Sequence, residues 1–309
     1  MELQKPKILL IGGPTAVGKT SLAIKCAKLF DGEIISCDSI QIYKELNIGS
    51  AKATAEEQQQ VVHHLIDILE PNESFSVAQF RNTAVELIND ITKRGKLPIL
   101  VGGTGLFMKG IIYPLSFGGD NQENTKEIRE KYMCLARDKG NKFVYNILLE
   151  KDKETALKLH PNDLKRVVRG LEIFESTGKS KVQDELNLES PYNYAMMFLD
   201  DEREKLYERI NKRVEQMFDD GLENEVKTLI EKYNLNQNSQ CMQGIGYKEF
   251  LPYFNGEITL NEVKEKIKQN TRHYAKRQIT FFKTMPNVLR LNCNNQENII
   301  KTIKKELEL

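Results

Sequence analysis

Ile8-Leu9-Leu10-Ile11 is an unbroken apolar run that ends in glycines, and the next apolar positions, Leu22, Ala23, Cys26, Ala27 and Phe30, recur at helical spacing. A buried strand followed by an amphipathic helix is the predicted opening unit. Glu33 to Asp38 repeats the short apolar strand, with a carboxylate at its carboxyl end, and Val61 to Leu69 is read as holding another. Ser74 to Val77 leads into a helix with Phe80, Ala84, Leu87, Ile88 and Ile91 on one face, stopped by Gly95. Leu97 to Val101 is the next strand, and it opens into Gly102-Gly103-Thr104-Gly105. Strands and helices in alternation, with glycine-rich carboxyl ends, predict a parallel sheet flanked by helices.

The pattern changes near residue 118. Gly118-Gly119-Asp120-Asn121 reads as a linker, and from Asn124 to about Leu188 the chain is helical in pattern and densely charged. Asn124 with Glu127 resembles a capping box. Asn162-Asp163 precedes a further helix, which Ser176-Thr177-Gly178 ends. The expected division is an α/β core from residues 1–120 and 191–309, interrupted by a small all-helical insertion at 121–190. In the returning core, Ala195 to Asp200 is a strand. Leu206, Ile210, Val214, Met217 and Phe218 form one stripe of a long helix stopped by Gly221. A second long helix is expected from about Asn261 to Phe282, then a strand at Val288 to Leu291 and a closing helix at Glu297 to Leu307.

Composition constrains the class without choosing it. The 309 residues are 40% hydrophobic and 29% charged, with a net charge of +1, which argues neither for nor against nucleic acid. With no apolar run near 18 residues and no signal-like opening, a cytoplasmic protein without a membrane span is expected. The five cysteines, at 26, 37, 134, 241 and 293, suit reduced thiols better than a zinc site or a disulfide framework.

Gly13-Pro14-Thr15-Ala16-Val17-Gly18-Lys19-Thr20 satisfies G-x-x-x-x-G-K-[ST], a phosphate-binding loop, and its place between strand and helix is the one that motif requires. Glycines allow the backbone to turn its N–H groups on a phosphate at the positive end of the helix. Lys19 adds a mobile cation, and Thr20 offers a hydroxyl to Mg²⁺. Asp38 can assist the metal or take a proton from an attacking group. Asp67 competes for the metal, although a paired structural role suits it better. His63-His64 is read as structural, because neighbouring side chains of an extended segment diverge. Arg209 and Arg213 share a face of the long helix, and Arg213 borders its apolar stripe, from which a guanidinium can reach a cleft. Two basic clusters, Lys165-Arg166-Val167-Val168-Arg169 and Arg272-His273-Tyr274-Ala275-Lys276-Arg277-Gln278, suit a polyanion, with solvated helix faces as the alternative. Neither an apolar run ending in Asp-Glu nor an Asn-Lys-x-Asp guanine reader is found, so the loop is expected to hold a phosphate-bearing substrate without hydrolysing it.

Together with Asp38-Ser39-Ile40-Gln41-Ile42-Tyr43, Asn47 to Lys52, His63 to Asp67, Gly102 to Leu106, Gly244-Ile245-Gly246-Tyr247 and Ala275-Lys276-Arg277-Gln278, the loop resembles the bacterial tRNA dimethylallyltransferases over essentially the whole chain. The resemblance implies transfer of a dimethylallyl group from dimethylallyl diphosphate to the exocyclic amine of the adenosine 3′ of the anticodon. It also implies a phosphate-loop core with a helical insertion gripping the anticodon arm. Carried over residue by residue, it makes Asp38 the proton acceptor, sets the Thr15 hydroxyl on the bridging diphosphate oxygen and makes Arg213 a diphosphate clamp, with Arg209 in support. Residues 13–20 would hold the diphosphate, with Mg²⁺ at Thr20. Asp38, Ser39, Ile40, Gln41, Thr104, Lys165 to Arg169, Gln243, Arg272, Lys276, Arg277 and Gln278 would contact tRNA. Val17 stands where Ser is common, and the absence of a Cys/His zinc module points to the bacterial type; a monomer is expected. The competing readings are a small-molecule kinase, a prenyltransferase of free adenine nucleotides, and a nucleotide-gated RNA-binding module without chemistry.

Overall fold

The sheet explains where the chemistry collects. In the computed structural model, which describes residues 5–113, 122–180 and 189–309, β1 (Lys7–Gly12), β2 (Gly32–Ser36), β3 (His63–His64), β4 (Leu97–Val101), β5 (Asn193–Asp200) and β6 (Val288–Asn292) form one sheet in the order β3-β2-β4-β1-β5-β6. Every pairing is parallel. Parallel strands require crossover connections that cover both faces, and so they read as continuous apolar runs. Ile8 to Ile11 accordingly have no exposed surface. All carboxyl ends lie along one edge, where open α/β sheets bind ligands.

The crossovers are α1 (Lys19–Leu29), α2 (Ala55–Gln60), α3 (Val77–Lys93) and α4 (Gly105–Ile112). Next come α5 (Gln122–Lys139), α6 (Asn141–Lys151), α7 (Lys153–Ala156) and α8 (Leu164–Thr177). After β5 follow α9 (Arg203–Asp219), α10 (Leu222–Tyr233), α11 (Phe250–Phe254), α12 (Leu260–Lys283) and, after β6, α13 (Gln296–Leu307). Contacts divide the chain into one compact unit of Met1–Ile112 with Pro191–Leu309 and a second of Tyr113–Ser190.

In the first unit, the sheet and α1, α9 and α13 share a core that includes Leu9, Ile11, Leu22, Met197, Ile210 and Ile303. A second cluster joins Tyr43, Leu222, Val226, Tyr247, Phe250 and Ile267, so α10 and α11 brace the amino half of α12. The short strand expected within 61–69 is His63–His64, after which Leu65 and Asp67 turn to positive φ (60° and 56°). β5, α12, β6 and α13 fall within two residues of their predicted bounds, whereas α10 and α11 are not among the predicted elements.

The second unit is helical, as the charge-rich pattern implied. Val144, Leu148, Val167, Val168 and Leu171 form its core. Asp163 caps α8 by accepting from the N–H of Arg166, and Gly178 ends it in the left-handed region. Asn124 is not an N-cap, since α5 starts at Gln122. The linker expected at Gly118 to Asn121 and the stretch 181–188 lie outside the described residues.

One ion cluster fastens the sheet edge. Glu33, 3% exposed, accepts both terminal nitrogens of Arg94 (2.8 Å for Nη2) and shares a hydrogen bond with His64 Nε2 (2.8 Å). The Arg94 guanidinium outweighs the effect of burial and pulls the Glu33 carboxyl down to about 2 from an ordinary 4.5. A folded-state value below the unfolded one stabilises the fold above about pH 4.5, and that contribution fades as the pH falls toward 2. Glu33→Gln is expected to cost about 1–3 kcal/mol at pH 7. Urea titrations across pH 5 to 2.5 should show a shallower loss of stability than the wild type.

Candidate active site

The phosphate loop leaves β1 through backbone that few residues tolerate. Gly13 has φ 151°, and a Cβ there would stand 2.9 Å from the Leu199 carbonyl oxygen. Ala16 (φ 65°) and Gly18 (φ 94°) both enter the left-handed region. For Ala16 this conformation is strained, and a brace from outside the loop holds it. Arg209 Nε donates to the Ala16 carbonyl (3.0 Å) while Arg209 Nη2 binds Asp201 (2.5 Å), whose side chain is almost wholly buried. Arg209 therefore supports the loop from behind.

Arg213, one turn further along α9, lines the cleft in front of the loop together with Thr15, Lys19 and Asp38. The stripe Leu206, Ile210 and Val214 is buried and fixes the helix face that aims it. Lys19 lies back across the loop, donating to the carbonyls of Gly13 (3.0 Å) and Pro14 (2.8 Å). Burial and then the Arg213 charge bring Lys19 down to about 7 from 10.5, while Asp38 pulls in the opposite direction. Arg213 itself is lowered by desolvation, although part of its side chain reaches solvent. Two cations lining one cleft, the lysine desolvated, mark a site for a multiply charged anion.

Asp38 stands at the carboxyl end of β2. Its Oδ1 accepts from the N–H groups of Ile40 (2.8 Å) and Gln41 (3.3 Å), which fixes the carboxylate's orientation at the cleft wall. Gly102 packs so tightly beneath it that a Cβ would come within 2.1 Å of the Cys37 carbonyl oxygen. Tyr274 of α12 completes this side. Burial, then the Asp38 charge, push its hydroxyl up to about 12, so it stays protonated. The cleft between these walls measures about 1500 Å³, larger than the usual pocket for one small ligand.

The residues expected to touch RNA separate into distinct groups. Ser39, Ile40, Gln41, Gln243 and Arg277 line the cleft. Gln41's amide is already committed, donating to the carbonyls of Ser50 and Ala51 (3.2 Å each). Arg272 donates to Asn211 (2.7 Å), and Lys276 is exposed. The Thr104 hydroxyl is buried. Three expectations need correction. Val167 and Val168 are core residues of the second unit, so their side chains present nothing to RNA. Gln278 is 4% exposed, with both ends of its amide bonded to backbone. Within the second unit, Arg169 joins Arg129 on the buried Glu172, whereas Lys165 and Arg166 are exposed.

Asp67 pairs with Lys52 (2.5 Å) and so falls on its structural reading. Glu225 was not anticipated. Its carboxylate accepts from the N–H groups of Asn47, Ile48 and Gly49 and from the Tyr247 hydroxyl, at 2.8–3.1 Å, and so fixes the cleft wall that carries Ile48 and Ser50. The Gly244 to Tyr247 stretch was the visible half of this arrangement: the Tyr247 ring stacks where a Gly49 Cβ would meet it at 2.6 Å.

A parallel α/β sheet with a phosphate loop facing a fixed carboxylate defines a transferase of the phosphate-loop class. The model of the family described as "IPP transferase" matches residues 41–285, and the chain belongs to that family. A tRNA dimethylallyltransferase of Caldanaerobacter subterraneus is 49% identical over 90% of this chain and 89% of its own length. The full-length tRNA isopentenylpyrophosphate transferase of Bacillus halodurans superposes with a TM-score of 0.74 at 41% identity, covering 98% of this chain and 97% of that one. A eukaryotic dimethylallyltransferase acting on tRNA gives 0.79 at 32% identity, covering 93% of this chain and 74% of that one.

Anion binding in this cleft should restore the Lys19 proton. Calorimetry with inorganic diphosphate at pH 8, in buffers of differing ionisation enthalpy, should show the wild type taking up more protons than Lys19→Met. The difference should vanish near pH 6, where Lys19 is already charged.

Proposed function

We propose that this protein transfers a dimethylallyl group from dimethylallyl diphosphate to the exocyclic amine of the adenosine 3′ of a tRNA anticodon. One C–O bond breaks, one C–N bond forms, the amine loses a proton and diphosphate leaves. The observation that carries this reading is that Lys19, Arg213 and Asp38 line one cleft. The relatives agree: those named above are enzymes that act on tRNA. They favour neither a small-molecule kinase nor a prenyltransferase of free nucleotides.

The roles follow from where charge moves. As the C–O bond breaks, negative charge grows on the diphosphate. Arg213 lines the cleft where that charge would grow, and Lys19 would move from the Gly13 and Pro14 carbonyls onto the anion. Thr15 lines the cleft at the loop's mouth and would donate its hydroxyl to the bridging oxygen. An aromatic amine is a weak nucleophile, because its lone pair is shared with the ring. Asp38 would accept its proton and hold it on the line of attack. The target base must leave its stack to reach this depth, and the cleft has room for both substrates.

A Mg²⁺ ion fits the donor set. The Thr20 hydroxyl lines the cleft beside Lys19, and a hard cation with few protein ligands is completed by water and diphosphate oxygens. When bound, it would neutralise charge on the leaving group. The exposed Lys276 and Arg277 would meet phosphates of the tRNA, and the second unit offers the exposed Lys165 and Arg166 as further phosphate contacts. No helix among the described residues is long and apolar enough to cross a membrane, which suits a cytoplasmic enzyme. A monomer would suffice, since all the proposed groups come from one chain.

Unmodified tRNA incubated with the protein, Mg²⁺ and dimethylallyl diphosphate should yield a dimethylallyl adenosine, detected by nucleoside mass spectrometry. Asp38→Ala should lower the single-turnover rate by about 100-fold or more. Arg213→Ala should raise the KM for the donor and lower kcat together. An undiminished rate in Asp38→Ala would remove the proton-acceptor role and leave the activity standing.

A further inference from the structure

Gln278 belongs to an apolar seam. On α12, Ala275, Gln278 and Phe282 share one buried stripe, while the adjacent Lys276 and Arg277 are exposed. An amide in that position needs partners for both its ends, and it finds them in two different loops. Its Oε1 accepts from the Thr15 N–H (2.9 Å) of the phosphate loop, and its Nε2 donates to the Gly103 carbonyl (3.1 Å) of the turn after β4. These partners fix the amide's orientation, since reversing it would set N–H against N–H and oxygen against oxygen. The fit leaves no slack: a Cβ on Gly103 would come within 2.0 Å of Nε2.

This crossbar has two consequences for the cleft. With its N–H turned to Gln278, Thr15 offers the cleft its side chain rather than its amide. Gln278 also ties the phosphate loop to the Gly102 to Gly105 turn, in addition to the β1–β4 pairing and the Gly102 N–H bond to the Ile11 carbonyl (3.2 Å) that set their spacing. We propose that Gln278 is a positioning residue for the transfer step: by fixing the Thr15 N–H it holds Thr15 against the donor's leaving group. The inference rests on the reading that Thr15 faces the diphosphate. It replaces an RNA contact with a role that has a different kinetic signature.

The test is a double-mutant cycle with Gln278→Met, which keeps the volume and removes both hydrogen bonds, and Thr15→Ala. Single-turnover rates and KM values are measured with an unmodified anticodon stem-loop and dimethylallyl diphosphate, with melting temperatures alongside. Gln278→Met should lower the transfer rate roughly 10- to 100-fold and leave the KM for RNA within about two-fold. In the Thr15→Ala background it should cost less than about three-fold, because groups acting through one another are non-additive. Gly103→Ala, which displaces Nε2, should reproduce the defect and add little to it.

A raised KM for RNA with an unchanged rate would restore the RNA-contact role and overturn the proposal. So would full additivity with Thr15→Ala. If Thr15→Ala alone leaves the rate unchanged, the reading of Thr15 fails, and a persisting Gln278→Met defect would then have to arise elsewhere. If Gln278→Met proves unstable, Gln278→Glu keeps an acceptor for the Thr15 N–H. It must then retain more rate than Gln278→Met at a temperature where both are folded, and equal losses would overturn the role.

Discussion

A partly buried Lys19, with Arg213 lining the same cleft, is the constraint on which the site depends. Burial first, and the Arg213 charge second, bring Lys19 down to about 7. The fold keeps them close because neither is free to leave. Lys19 is the first residue of α1, at the end of a loop whose backbone conformation is fixed. Arg213 rides on a helix whose Leu206, Ile210 and Val214 are locked into cores. Arg209, on the same face as Arg213, grips the Ala16 carbonyl and Asp201, so α9 braces the loop from behind and supplies a cation in front.

The parallel sheet makes that arrangement possible. β1 lies between β4 and β5, so the loop after β1 has the turn after β4 on one side and the segment after β5, with Asp201, on the other. Asp38 follows β2, one strand beyond β4. A mixed sheet would send some of these ends to the far edge. The closeness of the turns then decides residue type: Gly102 lies against the Cys37 carbonyl, and Gly13 against that of Leu199.

What the sequence made legible was local. The apolar runs of β1, β2 and β4 and the G-x-x-x-x-G-K-T spacing are written in consecutive residues, and each states its geometry directly. Asp38 was legible because it directly follows a strand. The resemblance extended this to Thr15 and Arg213 as candidates. Glu225 and Gln278 were not legible as supports, because their partners lie 178 and 263 residues away and a buried polar side chain looks like an exposed one in a string of letters. Val167 and Val168 misled for the converse reason. Set among Lys165, Arg166 and Arg169, they took on the character of a basic cluster, although helical spacing turns them into the core of the second unit. The strand expected within 61–69 is short, ending at His64, because Leu65 and Asp67 take positive φ despite apolar composition.

A cleft that must stabilise growing negative charge at one end and accept a proton at the other risks neutralising itself, since a carboxylate and a lysine at short range would pair. Here each group is kept occupied by neutral backbone. Lys19 rests on the carbonyls of Gly13 and Pro14, and Asp38 Oδ1 on the N–H groups of Ile40 and Gln41. Bonds between an ammonium and neutral carbonyls are weaker than those it makes to an anionic phosphate, so an arriving diphosphate can take the lysine at little cost. The Asp38 bonds serve the opposite end, because they come from its own turn and persist while the carboxylate meets the amine. The lysine is held so that it can be released and the aspartate so that it cannot drift, and this difference lets one cleft of about 1500 Å³ keep opposite charges apart until the substrates separate them.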